Sequence, residues 1–112
     1  MEYKDMEIAS KSTKVIELQF SKNGSSQDIT GWTIYFTVKD KIADDDDDAK
    51  IKKDITVHSE PENGITLIEL TTSDTNLVGN YYYDIKFKDT DGNNDVLFHG
   101  RIKFIKTVTT RG

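Results

Sequence analysis

The sequence predicts an all-β sandwich, on three observations. Apolar and polar side chains alternate in runs between turn signals along the 112 residues, and a period of two marks strands with one face in a core. Almost no stretch shows the 3.6-residue periodicity of a helix. The turn Leu77-Val78-Gly79-Asn80 opens into Tyr81-Tyr82-Tyr83-Asp84-Ile85-Lys86-Phe87, with Tyr81, Tyr83, Ile85 and Phe87 on one face and Tyr82, Asp84, Lys86 and Lys88 on the other. Gly79 supplies the backbone freedom of a corner. Tyr81 stands two residues later, where its hydroxyl can bond back across the turn.

The remaining elements follow in chain order. Glu7 to Ser10 reads as a short first strand, and Lys14 to Phe20 as a second, with Ile16, Leu18 and Phe20 on one face. Asn23-Gly24-Ser25-Ser26 closes it. Trp32 to Val38 puts Trp32, Ile34, Phe36 and Val38 inward and Thr33, Tyr35 and Thr37 outward. Ile51 to Val57 is rich in lysine and is expected at an edge, where charge discourages edge-to-edge pairing. Ile65 to Leu70 is apolar on both parities, and the pattern does not decide its inward face. Thr71 to Leu77 is a polar turn, read as one helical turn capped by Thr72 or Ser73. Asp89 to Asp95 is a hairpin turn around Asp91-Gly92. Val96 to Phe104 places Val96, Phe98, Ile102 and Phe104 together, with Gly100 as a bulge or a close-contact point.

This gives about seven strands at sandwich spacing. Lettered A to G, they put Trp32 on strand C and Tyr81 on strand F, both immunoglobulin-like positions. The strand-F cysteine of antibody domains is replaced by Tyr83, and the chain has no cysteine. The expectation is an immunoglobulin-like β-sandwich without a disulfide; a jelly roll or small barrel fits the same strand list. One domain over 1–112 is expected, with its core in about 6–106 and a short polar tail.

Composition narrows the function. Twenty acidic against fifteen basic residues, a net charge of −5, argue against a nucleic-acid partner gripped by phosphate neutralisation. No segment reaches the roughly 18 apolar residues of a membrane span, so no membrane partner is expected. Met1-Glu2-Tyr3-Lys4-Asp5-Met6 lacks the apolar run of a signal peptide, so export by the ordinary N-terminal route is not expected. His58 and His99 fall on different strands without a paired acid at ligand spacing, and Ser25-Ser26 has no partner base. No enzyme, no catalytic residue and no cofactor is expected. Asp44 to Asp48 reads as a solvated like-charge loop rather than a calcium site, because consecutive aspartates repel. No metal site is assigned.

The order Phe20-Ser21-Lys22-Asn23-Gly24, then Asp28-Ile29-Thr30-Gly31-Trp32-Thr33-Ile34-Tyr35-Phe36-Thr37-Val38-Lys39, Gly64, Leu70-Thr71-Thr72-Ser73-Asp74-Thr75 and Gly79-Asn80-Tyr81-Tyr82-Tyr83-Asp84-Ile85 resembles the N-terminal domain of phage baseplate upper proteins. Related immunoglobulin-like modules occur on phage tails and heads. The resemblance spans roughly residues 14 to 106. It implies a structural virion protein, at the tail or baseplate or decorating the capsid head, that acts by assembly with other virion proteins and with copies of itself. Such domains commonly precede a longer region; this sequence stops soon after its last strand, which implies a stand-alone virion component, made in the host cytoplasm, or a module assembled by contacts of its own.

The expected interaction face is the outer side of the sheet formed by strands C, F and G. Alternation places Tyr35, Lys39, Tyr82, Lys86, Lys88, His99, Arg101 and Lys103 there, with Leu97 and Ile105. Tyrosine and arginine are favoured at interfaces, and the Asp44 to Asp48 loop offers complementary charge elsewhere. Trp32, Gly79 and Tyr81 are assigned structural roles. A second reading is a glycan or cell-surface polymer site, with Tyr35 and Tyr82 stacking on sugar rings.

Overall fold

The β-branched and aromatic alternation becomes strand wherever one parity can be buried. The structure, a computed structural model, describes residues 1–109 and 111. Its strands are β1 (Glu2–Tyr3), β2 (Met6–Ala9), β3 (Lys14–Gln19), β4 (Ser21–Lys22), β5 (Ser25–Ser26), β6 (Thr33–Lys39), β7 (Ile51–Ile55), β8 (Ile65–Leu70), β9 (Gly79–Lys88) and β10 (Asn94–Ile105). Two short 3-10 turns, Asp46–Asp48 and Pro61–Asn63, interrupt them.

The larger sheet runs β1-β10-β9-β6-β7, with β2 also pairing β10; β3 and β8 form the second sheet, and β4 and β5 a small ribbon. Strands β1 and β2 lie parallel to β10, whereas the other pairs are antiparallel. The fold is an all-β sandwich of immunoglobulin-like arrangement, with β6, β9 and β10 as C, F and G facing β3 and β8 as B and E. The lysine-rich strand β7 is an edge, as expected; it pairs β6 and so extends the larger sheet rather than the β3–β8 layer.

Between the layers, Ile34, Phe36 and Val38 of β6, Ile85 of β9 and Ile102 of β10 are completely buried against Leu18, Ile68 and Leu70. The undecided parity of β8 resolves inward at Thr66, Ile68 and Leu70, because these positions pair with Leu18, Ile16 and Lys14 of β3. Trp32 sits one residue ahead of β6. Its indole stacks on Phe87 at 5.0 Å and meets Phe20 edge-on at 5.5 Å, closing one end of the sandwich.

At the other end the turns before β3 and β9 are stitched together by Thr75, which is fully buried. Its hydroxyl donates to the Ser12 carbonyl at 2.6 Å and accepts from the Ser12 amide at 2.9 Å. The turn itself is capped by Thr71, not Thr72 or Ser73: the Asp74 amide donates to the Thr71 hydroxyl while Asp74 accepts from the Thr71 amide at 2.8 Å. Lys53, on the inward parity of β7, reaches Asp74 at 2.8 Å. Behind β7, His58 forms a second clasp. Its Nε2 lies 2.8 Å from the Trp32 carbonyl, which can only accept, so Nε2 carries the proton and Nδ1 accepts from the Thr66 hydroxyl.

Strand β10 departs from the simple alternation. The register slips between Val96 and Phe98, a bulge that places two residues opposite one. Val96 consequently pairs with Lys86 on the outer face, and Leu97 packs against the core, the reverse of the parity expected for both. Gly100 is the close-contact point rather than the bulge: a Cβ there would lie 2.3 Å from the Lys4 carbonyl oxygen. The Lys4 amide donates to the His99 carbonyl at 2.9 Å and the Arg101 amide to the Asp5 carboxylate at 3.1 Å. The edge of the sheet thus passes from β1 to β2 across a kink seated on Gly100.

Tyr83 occupies the strand-F position of the absent cysteine. It is buried and its hydroxyl donates to the Lys4 carbonyl. Burial, reinforced by Asp5 and Glu2, pushes its phenol up to about 12. The fold favours the neutral phenol, so its contribution to stability is complete below pH about 10 and is lost as pH rises toward 12. Ultraviolet titration of the five tyrosines is expected to show one that ionises about two pH units late and together with unfolding. Ionisation of all five in the ordinary range with the fold intact contradicts the packing described.

Candidate functional site

The outer face of the larger sheet is built by register. Tyr35 on β6 stands opposite Lys86 on β9, Lys39 opposite Tyr82, and Thr37 opposite Asp84. On β10, Arg101 faces Tyr82, His99 faces Asp84 and Lys103 faces Asn80. Lys88 lies between Thr33 and Asn94. The eight face residues expected from the sequence therefore share one side of one sheet. The Arg101 guanidinium lies 5.9 Å from the Tyr82 ring centroid, within cation–π range. Of the three residues given structural roles, Trp32 stacks as described above and Gly79 takes φ 113° where β9 begins. The Tyr81 hydroxyl donates to the Val78 carbonyl at 3.4 Å, with its ring edge-on to Phe104.

The face is concave, a groove of about 870 Å³ whose walls include Met1, Tyr3 and Ile42 and whose floor includes Tyr35, Tyr82 and Asp84. Tyr3 comes from β1 and packs edge-on to His99 at 5.3 Å. Asp84 is half-buried in the floor. Desolvation pushes its carboxyl up, against the pull of Lys39, Lys86 and His99. Shifted carboxyls occur both in binding clefts and in structural ion-pair networks, and here the groove around Asp84 also contains Tyr3, Tyr35 and Tyr82.

The acidic loop does not lie elsewhere, as the charge argument had it. It folds over the end of this same face: Asp46 binds Lys39 at 2.8 Å and Asp47 approaches Lys52 at 3.5 Å. That hydrogen bond raises the Lys39 ammonium and holds the Asp46 carboxyl down. The loop serves as a rim that neutralises one cation of the groove. Among the described residues no group of three metal-capable side chains converges.

Asp84 was legible on the outward parity but not as a site residue, since a single acid among lysines looks like ordinary ladder pairing. Asp46, Tyr3 and Ile42 carried no such signal. Their arrival depends on how a loop and an N-terminal edge fold back, which periodicity does not encode. The hairpin turn stands as read, with Asp89 accepting from the Asp91 and Asn93 amides at 3.0 and 2.9 Å.

No protein-family model matches the chain, and no curated protein matches it. Among solved structures it is similar to the N-terminal domain of phage TP901-1 ORF48. The sequence identity is 16% and the TM-score 0.47, over 91% of this chain and 81% of that one. A likeness at that level carries no functional argument.

Proposed function

We propose that the chain is a non-enzymatic structural module of a phage virion, at the tail or baseplate or on the head, which works by protein–protein assembly. The observation that carries the assembly role is the groove face, where Tyr35 shares one side of one sheet with the Arg101–Tyr82 pair. Aromatic and arginine side chains held by a ladder bury area at low entropic cost. The phage assignment rests on the sequence pattern set out above. Residues 1–112 act as one unit in this reading, with the virion as location and neither nucleic acid nor membrane as partner.

The test is fractionation of a lysate of the source strain. The chain is expected in the purified particle band, and its confinement to the soluble fraction overturns the virion assignment. The concavity of the groove, with Asp84 in its floor beside Tyr35 and Tyr82, supports a second reading as a glycan site. Tyr82→Ala separates the two. It is expected to weaken protein assembly roughly tenfold, about 1–2 kcal/mol for an interface tyrosine, without altering retention on host cell-wall polysaccharide. Loss of polysaccharide retention assigns the groove to sugar.

A further inference from the structure

The two outer faces of the sandwich differ in charge. On the larger sheet, outward positions carry Lys39, Lys52, Lys86, Lys88, Arg101 and Lys103 against Glu7, Asp54 and Asp84, with Asp46 and Asp47 of the loop on Lys39 and Lys52. The rest of the chain keeps nine basic and fifteen acidic residues. The outward positions of the β3–β8 sheet pair Val15 with Glu69, Glu17 with Leu67 and Gln19 with Ile65. Among the described residues these six outward positions are acidic, amide or aliphatic, with no cation. Val15, paired with Glu69, is 54% exposed, and Val57, 85% exposed, lines a shallow depression with Leu67 and Glu69.

We propose that copies of this chain stack head to tail, the cationic aromatic face of one on the β3–β8 face of the next. The pairing deepens the assembly reading and rests on it. Tyr35 and Tyr82 supply apolar area for Val15, Leu67 and Val57, while Arg101 and Lys103 meet Glu17 and Glu69. Complementary potentials of this kind fix orientation and suppress wrong partners. The contact is heterologous, so it builds rings or open stacks rather than closed two-fold dimers. A two-stranded face offers limited area, at the low end of the range for specific interfaces, so association is weak and concentration-dependent.

Sedimentation velocity tests it with three proteins: the wild-type chain, Arg101→Glu with Lys103→Glu, and Glu17→Lys with Glu69→Lys. All four positions are exposed, where substitutions leave folding almost unchanged; circular dichroism checks this. The wild type is expected to associate below about 1 mM, a weak contact on the affinity scale. Each charge-reversed variant alone is expected to associate at least tenfold more weakly. Mixing the two restores association, because one then presents two acidic faces and the other two basic ones. A wild type that stays monomeric to about 1 mM overturns the pairing. So does a Glu17→Lys, Glu69→Lys variant that associates like the wild type, although the cationic face then remains available to another virion protein. Particle fractionation judges the virion assignment separately, so either idea can fail without the other.

Discussion

Replacing Gly100 with alanine is expected to cost about 3 kcal/mol in urea unfolding, the upper part of the range for overpacking. The added Cβ meets the backbone at the Lys4 carbonyl, 2.3 Å from its oxygen and 2.9 Å from its carbon. No side chain there can rotate away. Relief requires the link between β1 and β2 to lift from β10, which forfeits the Lys4 amide bond to His99 and uncovers the Tyr83 hydroxyl. The variant therefore carries a second signature: the Tyr83 phenol returns toward the ordinary tyrosine value near 10. A variant of unchanged midpoint, with Tyr83 still titrating at about 12, contradicts the close approach.

A comparable loss is expected from Phe36→Ala, by the different route of a cavity. Phe36 is completely buried on β6 and lies 6.2 Å, ring to ring, from Tyr83. Truncation removes its transfer energy and leaves a void between two sheets whose strands are pinned by register, so collapse is incomplete. Phenylalanine-to-alanine changes in such cores cost about 3–5 kcal/mol. Chemical unfolding at neutral pH measures it, and a loss under about 1 kcal/mol places Phe36 outside the core. Phe36→Leu, which keeps most of the volume, is expected to retain most of the stability.

Most of the architecture was legible because burial imposes a period of two. The inward faces of β6 and β9 follow directly from Ile34, Phe36, Val38, Tyr83 and Ile85, and Gly79 marks a corner that needs positive φ. Three features escaped. The β8 parity could not be chosen, since both of its faces are largely apolar and only pairing with β3 decides. The shift at Leu97 inverts Val96, because a bulge inserts a residue without any compositional mark. The layer joined by β7 depends on whether a strand crosses the sandwich after β6 or turns back beside it, and lysine content is the same either way.

The candidate site divides along the same line. The members carried by β6, β9 and β10 could be placed from alternation. Tyr3, Ile42 and Asp46 arrive by a parallel edge strand and a loop, where register has no local signature. The misplacement of Asp44 to Asp48 has a simple cause. A run of aspartates suggests mutual repulsion and solvation, yet Lys39 and Lys52 at the sheet's end give two of them a place to bind.

The parallel edge also sets a schedule for maturation. Glu2 pairs with Phe98 and Ile8 with Phe104, so the residues of β1 and β2 must wait at the ribosome until β10 has emerged. At 5–20 residues per second the delay is roughly 5–20 s. During it β1 and β2 have no partner strand, and their free backbone edges can be taken up by another chain. Late docking of the leading segment is therefore the last act of biogenesis, and the interval before it is when this molecule is most open to exchanging strands with a sister.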